Sequence, residues 1–277
     1  MRTLLALLVF LSACTAQAQP ELQQVGVQVP AGQGARAAGL GGAGLALQGD
    51  GWTRVGAMMQ WTSPGVTLGA EQRFGLSELR EGSAQGVARR GYTTLGLQAA
   101  SFGNEAFRSS QFGLVAARRL FPSRPRALSV ALRADLVSIS TGGDYGNGIG
   151  WGLSPSVWAE VTYALSVVLE ARNVVSGDVS GREPLPADLR AGIAYLASDR
   201  IRLAADLVHD PTFGPTGHVG AEVQIVDVLV ARAGIGTDPQ QVGLGAGLRI
   251  GSLRADLAAT RHLLLGWSPS VEVGWSW

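Results

Sequence analysis

The chain has 277 residues, of which 46% are hydrophobic and only 16% are charged, against roughly 25% charged in an average soluble domain. Its 39 glycines follow no three-residue period, which excludes a collagen-like chain, and no long Ser or Pro tract indicates disorder. The 22 basic residues, all Arg, face 21 acidic ones, so removing Arg2 with a leader leaves a formally neutral chain. Because nucleic-acid-binding proteins normally carry a basic excess, this balance argues against a nucleic-acid partner.

The N-terminus has the pattern of a secretory leader. Arg2 is followed by an apolar stretch from Leu4 to Ala13 and by the small-residue cleavage site Ala16-Gln-Ala18, which predicts a signal peptide over residues 1–18. A second interpretation remains open, because Leu11-Ser-Ala-Cys14 has the form of a bacterial lipobox with Cys14 as the lipidated residue. No run of 18 apolar residues follows, so any membrane crossing must use strands.

Residues 19–51 are predicted to form an N-terminal periplasmic or plug segment. Its centre, Gly34 to Leu47, is rich in Gly and Ala and is followed by Gly49-Asp50. The spacing of three of its glycines imitates a dinucleotide fingerprint, but no apolar strand precedes it and no acidic residue follows at the required distance. We expect instead a tight turn or short helix that packs in or near the barrel mouth, since small residues let backbones approach closely. The residues assigned to this segment are Arg36, Gly39, Gly41, Gly42, Gly44 and Asp50.

Residues 52–277 alternate between apolar and polar positions with the two-residue period of strands. In one such run Val66, Leu68 and Ala70 oppose Thr67 and Glu71. Further runs lie at 94–99, 128–136, 165–172, 189–195, 201–207, 219–225, 242–250 and 253–258. Short turns alternate with longer connections, predicted at 76–90, 141–148 and 177–186, as in outer-membrane barrels. A first strand near residue 55 and even-numbered closure favour 14 strands, with 12 as the alternative.

The last eight residues are interpreted as the closing strand of that barrel. Val271, Val273, Trp275 and Trp277 share one face, and the opposite face carries Glu272. Trp is enriched at membrane interfaces, so the apolar face is predicted to meet outer-membrane lipid, and the strand to act as the insertion signal for the barrel-assembly machinery. A secreted β-sandwich or lectin also alternates, but it displays more charge on its outer faces. The predicted fold is therefore an all-β, transmembrane antiparallel β-barrel.

The polar faces of the predicted strands carry charges of both signs, with glycines between them. A dominant Arg ladder would indicate an anion pore, whereas a near balance indicates first a structural network that fills the lumen and second a selectivity lining. The inner-face glycines are expected to let the strands curl tightly. The predicted lumen charges are Arg133, Asp135, Glu170, Arg172, Arg190, Arg202, Asp206, Glu222, Arg249, Arg254, Asp256 and Glu272, with Glu71, Arg73 and Arg232 in the same pattern.

Side chains that carry catalysis or bind metals are scarce. His209, Asp210 and His218 fall on one predicted hairpin, which leaves their meeting open as an alternative, but no nucleophile signature accompanies them and they are interpreted first as loop histidines. We therefore predict that the protein is not an enzyme and has no cofactor and no metal site. The seven tryptophans are interpreted as interfacial girdle residues, some inside the mouth, and a sugar- or lipid-binding role for Trp151 or Trp158 stays an alternative.

The Gly34 to Leu47 motif followed by Gly49-Asp50 resembles the N-terminal signature of the PorV and PorQ outer-membrane proteins, relatives of the FadL-type barrels. The Asn-Pro-Ala triplet usual soon after that signature is missing between Trp52 and Trp61. The resemblance implies a FadL-like barrel in the outer membrane of a Gram-negative-type bacterium. It also implies a non-enzymatic role in protein export or surface attachment, with secretion-system proteins as partners. The alternative is a FadL-like channel for a small hydrophobic solute, with the motif as its plug.

Overall fold

The computed structural model describes residues 34–47, 63–121, 127–142, 147–177, 184–237 and 239–277. The predicted leader, Cys14, Asp50 and the strand expected near residue 55 lie outside these ranges. Across the described ranges, no helix has the length and apolar character needed to cross a membrane.

One short helix and fifteen strands make up the regular structure of the described residues. The helix is α1 (Gly34–Gly39), and a single 3-10 turn covers Arg73–Gly75. The strands are β1 (Gly65–Gln72), β2 (Arg80–Arg90), β3 (Thr93–Gly103), β4 (Phe107–Leu120), β5 (Leu128–Thr141), β6 (Asn147–Glu160), β7 (Leu165–Arg172), β8 (Val175–Gly177), β9 (Asp188–Ser198), β10 (Ile201–Asp210), β11 (Gly214–Val226), β12 (Leu229–Thr237), β13 (Gln240–Ile250), β14 (Leu253–His262) and β15 (Gly266–Ser276).

Fourteen of these strands form a closed antiparallel ring. Each strand pairs with its neighbours in sequence, and β15 returns to pair with β1 from Gly65↔Ser276 to Glu71↔Ser270. The short strand β8 is extra to the ring and pairs only with β6. Closure gives every strand of the ring a partner on both sides, which is the condition for a β-structure to stand in lipid. The predicted all-β barrel of 14 strands is confirmed.

The two faces of the wall follow the two-residue period of the strands. Leu68 on β1 and Leu97 on β3 point outward and are each 62% exposed. Val271, Val273, Trp275 and Trp277 also lie on the outer face, whereas Glu272 between them is 1% exposed. An outer surface built from Leu, Val, Ile and Trp suits the hydrocarbon of a bilayer, while the polar side chains are enclosed.

The two rims of the barrel differ in the length of their connections. The rim that carries the start of β1 and Trp277, here called the terminal rim, has two-residue turns between β2 and β3, β9 and β10, β11 and β12, and β13 and β14. The opposite far rim carries the longest connection, which leads from β8 to β9. Short turns are typical of the periplasmic side of outer-membrane barrels, so we assign the terminal rim to the periplasm.

The long loop predicted over residues 76–90 is wrong, because β2 occupies Arg80–Arg90. The outward positions of this strand hold Gly82, Ala84, Gly86 and Ala88, which are too small to produce an apolar alternation in the sequence. The strand forms nonetheless, because β1 and β3 pair along it on both sides.

The wall is interrupted between β7 and β9. Their ladder ends at Arg172↔Asp188, and Asn173 then takes a left-handed conformation with φ of 49°. The backbone N–H of Asn173 donates to Ser154 Oγ at 3.0 Å, and its side-chain amide donates to the Pro186 carbonyl at 2.8 Å. Beyond Arg172, these two hydrogen bonds of Asn173 take over where the backbone ladder between β7 and β9 ends.

Candidate functional site

The segment Gly34–Leu47, called the plug below, lies inside the barrel. Residues 35–47 are all buried, and their polar contacts are with inward-facing side chains of the wall. Helix α1 ends where Gly41 and Gly42 take positive φ values of 65° and 92°. The Gly42 N–H donates to the Ala37 carbonyl at 2.9 Å, a C-terminal motif that needs residues free to adopt left-handed geometry.

The wall beneath the plug is surfaced with glycine. A Cβ on Gly220 would stand 2.7 Å from the Leu40 carbonyl oxygen, and one on Gly245 would stand 3.1 Å from the Gly39 Cα. Gly234 and Gly243 meet the plug backbone even more closely. These inner-face glycines were expected to serve curvature, and the structure gives them a second role, since their missing side chains make room for the plug.

Two buried carboxylates on adjacent strands bind the plug. The Arg36 guanidinium donates to Glu222 from Nε at 2.9 Å and from Nη2 at 3.0 Å, a bidentate pair. Further along the plug, the Leu45 backbone N–H donates to Asp206 Oδ2 at 2.9 Å. A charge and a backbone group of the plug are thus both satisfied by the inner face of β10 and β11.

Three other side chains hold plug carbonyls. The Trp158 indole N–H donates to the Ala46 carbonyl at 3.2 Å, and the Gly41 carbonyl contacts His218 Nδ1 at 2.9 Å and Gln241 Nε2 at 3.3 Å. Sequence reasoning placed Trp158 first in the interfacial girdle, whereas it is fully buried in the lumen. Its even position on β6, shared with Ser154 and Ser156, was the available signal for an inward side chain.

An ion-pair ladder continues from the plug across the wall. Glu222 accepts from Arg232 Nε at 2.8 Å and from Arg202 Nη1 at 2.9 Å. Arg232 reaches Asp256 at 2.6 Å, and Arg254 bridges Asp256 and Glu272. Each of these inward charges thus meets an opposite one, and together they form a continuous network of ion pairs along the inner face of β11, β12, β14 and β15.

A second charged group lines β5, β7 and β9. Arg133 pairs with Asp135 at 2.7 Å, and Arg190 pairs with Asp188 at 2.6 Å. Glu170 is buried beside them, and neither of its carboxylate oxygens has a hydrogen-bond partner among the described residues. Asp188 and Gln111, which donates to Asp135 at 2.8 Å, were not predicted.

Two of the predicted lumen charges lie closer to water than expected. Arg249 is exposed next to the β13–β14 turn at the terminal rim, and the Arg202 side chain is 46% exposed although it pairs with Glu222. Both occupy inward positions of their strands near that rim. They mark the periplasmic end of the charged lining, whereas Arg172 is fully enclosed.

His209 and His218, whose meeting was left open as an alternative, point to opposite faces of the wall. On β10 the inward positions include Asp206, which pairs with His218 across the strands, so His209 points to the outer face. Asp210 accepts backbone N–H groups from Thr212 and Phe213 within its own turn. Within the ranges described, no group of three or more His, Cys, Asp or Glu side chains has an arrangement that could hold a metal ion.

An apolar collar surrounds the end of the plug. We give this name to Leu45, Ala46 and Leu47 of the plug together with Val87, Val115, Trp158 and Val168 of the wall, all of them buried. The wall members come from β2, β4, β6 and β7, each in the half of its strand nearer the terminal rim. Apolar side chains therefore fill the space between this end of the plug and the wall, with the buried charges Asp206 and Arg133 at the levels of Val168 and Val115.

Comparison with known proteins gives matches in structure alone. No family model matches the chain, and no curated protein matches its sequence. The monoaromatic hydrocarbon channel CymD superposes with a TM-score of 0.64 at 14% identity, covering 90% of this chain and 99% of that one. The toluene transporter TodX of P. putida gives 0.62 at 12% identity, with 89% and 99% covered, and a FadL homologue of Pseudomonas aeruginosa gives 0.55 at 12%, with 90% and 98% covered. With its apolar outer face, the chain has the fold of these outer-membrane transport barrels, and the predicted outer-membrane localisation is confirmed.

Proposed function

We propose that the protein is an outer-membrane channel for small hydrophobic solutes, gated by its N-terminal plug. The observation that carries the proposal is the apolar collar between Leu45 to Leu47 of the plug and Trp158 of the wall. A general porin keeps a polar, water-filled lumen, whereas an apolar constriction loses its water and opposes the passage of ions and sugars. Small apolar molecules meet no such barrier there. The fold shared with hydrocarbon channels supports the same solute class.

The polar anchors of the plug support a gate that moves as a unit. Arg36, Leu45 and Ala46 are each held by a side chain of the wall, and the plug backbone lies against glycines. We infer that the plug has a second, released arrangement besides the docked one, and that its release opens the collar.

The test compares a hydrophobic and a polar probe. Intact cells with the chain in their outer membrane should take up N-phenyl-1-naphthylamine faster than cells without it, followed by its fluorescence. Liposomes that contain the wild-type barrel should not swell in arabinose. In Trp158→Ala the collar loses its largest member and the bond to Ala46, so the liposomes should swell.

The matched control is Trp151→Ala, because Trp151 lies on the same strand and faces outward. This variant should keep the wild-type discrimination between the two probes. Rapid arabinose entry through the wild-type barrel would contradict the proposal, and so would a naphthylamine uptake that the barrel leaves unchanged.

The second candidate is a role in protein export or surface attachment, as the resemblance to PorV and PorQ proteins implies. The observation in its favour is the Gly34 to Leu47 motif itself, which is the plug. A partner protein bound at a rim would then replace the solute. Deleting the gene should in that case leave export substrates in the periplasm while naphthylamine uptake stays unchanged, which is the reverse of the result expected for a channel.

We also propose that the protein has no enzymatic activity and that it enters the membrane through the barrel-assembly machinery. The second point rests on β15, whose outward residues end in Trp275 and Trp277 at the seam with β1. Replacing Trp277 by Asp should lower the yield of heat-modifiable barrel in the outer membrane if this strand is the recognition signal.

A further inference from the structure

An apolar groove runs along the outer face of β1 to β5. It has a volume of about 760 Å³ and begins beside Trp277 at the terminal rim. Small outward residues form its floor, namely Gly86, Ala88, Ala116 and Ala134, and larger ones form its sides, namely Val66, Leu95, Leu97, Leu114 and Leu132. The volume falls in the range of about 300–1,000 Å³ that bound small molecules occupy.

Two arginines stand at the periplasmic end of this groove. Arg90 follows Ala88 by two residues on the outer face of β2, and Arg118 follows Ala116 by two residues on the outer face of β4. Both pair with Thr93 of β3, so they lie two strands apart, about 10 Å at the usual strand spacing. Each is about 7 Å beyond the groove floor along its strand.

Among the residues that the structure describes, the positive charge of these two arginines is not offset by neighbouring carboxylates. The sequence has no Asp or Glu from 82 to 104 or from 106 to 134. Within the part of the chain that the structure describes, no ion pair joins Arg90 or Arg118 to a carboxylate, and both are exposed. The opposite wall differs, because its turns at the same rim mix signs, as in Asp199-Arg200.

Aromatic side chains mark the depth of this site in the membrane. Tyr92, Phe121 and Trp277 are all at least half exposed at the terminal rim, close to the arginines. Such aromatic residues sit at the level of lipid headgroups, so the arginines stand where phosphates lie and the groove extends into the hydrocarbon.

We propose that the groove and the two arginines together bind one anionic phospholipid of the periplasmic leaflet. The phosphate lies between Arg90 and Arg118, and an acyl chain lies over the small-residue floor. An apolar groove that continues into an uncompensated positive pair fits a molecule with one long apolar part and one anionic end. A zwitterionic lipid has a phosphate whose charge is offset by its own cation, so it fits the arginine pair less well, and a soluble anion matches only the arginines.

The experiment uses the full mature barrel, freed of lipid, in non-ionic detergent. The barrel is titrated with dioleoylphosphatidylglycerol or with dioleoylphosphatidylcholine. Native mass spectrometry counts the lipids bound to each barrel. One phosphatidylglycerol per barrel should bind in preference to phosphatidylcholine. Each basic residue near an anionic lipid contributes about a fivefold factor in affinity, so Arg90→Gln with Arg118→Gln should weaken phosphatidylglycerol about thirtyfold. Phosphatidylcholine binding should weaken much less, because its choline offsets the charge of its phosphate.

Control variants separate the two parts of the site. Arg200→Gln with Arg249→Gln removes two charges at the terminal rim, on the side of the barrel away from the groove. This variant should leave the affinity for phosphatidylglycerol unchanged. Ala88→Leu with Ala116→Leu fills the groove and should weaken binding, whereas Ala231→Leu with Ala233→Leu, outward on β12, should not. All variants must shift on boiling in gels, which shows that they are folded barrels.

Three results would overturn the proposal. Equal binding of both lipids, or of phosphatidylglycerol to the arginine variant, removes the headgroup site. Displacement of the lipid by glycerophosphoglycerol alone makes this a simple anion site without a chain in the groove. A dimer that only the groove substitutions abolish assigns the face to a second copy of the barrel.

Discussion

The inner faces of two walls of the barrel are built on opposite principles. The plug wall, from β10 to β14, presents glycines and an ion-pair ladder, and it is covered by the plug. The open wall, from β2 to β5, presents longer uncharged side chains such as Gln85, Gln98 and Gln111, and it touches the plug mainly at the collar. Side chains are absent where the plug backbone approaches the wall, and longer ones are present where it does not.

The two walls also differ in how much stability is lost when one polar side chain is removed. Charges on the plug wall are buried in pairs, so removing one member leaves its partners without compensation, which is costly. The open wall also carries the charges Glu81, Arg133 and Asp135, but its glutamines are neutral, and the loss of one neutral polar group costs far less. Substitutions should therefore separate the walls by the size of their effects.

The largest effect is expected for Glu222→Ala on the plug wall. It leaves Arg36, Arg202 and Arg232 without their shared carboxylate, and breaking a buried pair typically costs about 3–5 kcal/mol. The urea concentration at which the barrel unfolds, followed by gel mobility without boiling, should drop markedly. Glu105→Ala, which removes an exposed far-rim carboxylate, is the control. Similar midpoints for the two variants would mean that the ladder does not stabilise the wall.

A smaller loss of stability is expected for Gly234→Val, which acts by steric overlap and not by removing a charge. Its side chain would meet the Leu40 carbonyl and the Gly41 nitrogen, and such overpacking costs about 1–3 kcal/mol. The barrel should persist while the plug becomes accessible to a protease added from the periplasmic side. The control is Gly82→Val, because a side chain at Gly82 meets nothing within 4 Å. A protected plug in the Gly234 variant would show that the wall tolerates a side chain there.

Replacing His218 by Ala should have a moderate effect on the plug alone. It removes the contact between Nδ1 and the Gly41 carbonyl at 2.9 Å, while Gln241 still reaches the same oxygen. A single hydrogen bond contributes about 0.5–1.5 kcal/mol, so protease cleavage of the plug should accelerate roughly threefold to tenfold. His209→Ala, on the outer face, should leave the rate unchanged. Equal rates in both variants would remove His218 from the plug contacts.

The smallest effect on stability is expected for Gln85→Met on the open wall. Gln85 Nε2 is buried and has no hydrogen-bond partner among the described residues, so an apolar side chain of similar shape costs under about 1 kcal/mol. Uptake of N-phenyl-1-naphthylamine should rise if this wall borders the solute path. A large fall in the unfolding midpoint would show that Gln85 belongs to a network like that of the plug wall.

The sequence predicted the architecture because lipid and lumen impose opposite chemistry on alternate residues. In the closing strand this contrast is strong, with Val273 and Trp275 on one side and Glu272 on the other, and its faces were readable. The contrast fails in β2, where small outward residues replaced the apolar ones, and a loop was predicted. Two of the small outward residues of β2 that hid this strand from prediction also line the outer groove.

The contacts of the site were less accessible to prediction. The composition of the plug marked it as a closely packed segment, and Arg36 and Glu222 were each named as residues of interest. Their pairing was not predictable, because alternation assigns a face to a residue but gives no depth and no partner in a closed ring. Trp158 shows the same limit, since Trp suits both the interface and the lumen.

The pairing of Arg36 with Glu222 spans 186 residues, which has a consequence for how the molecule is made. The plug leaves the ribosome early, but every strand of the plug wall belongs to the second half of the chain. Its docking surface therefore does not exist until synthesis is nearly finished, and contacts so distant in sequence form slowly. We therefore expect the plug to dock only after the C-terminal strands have paired in register.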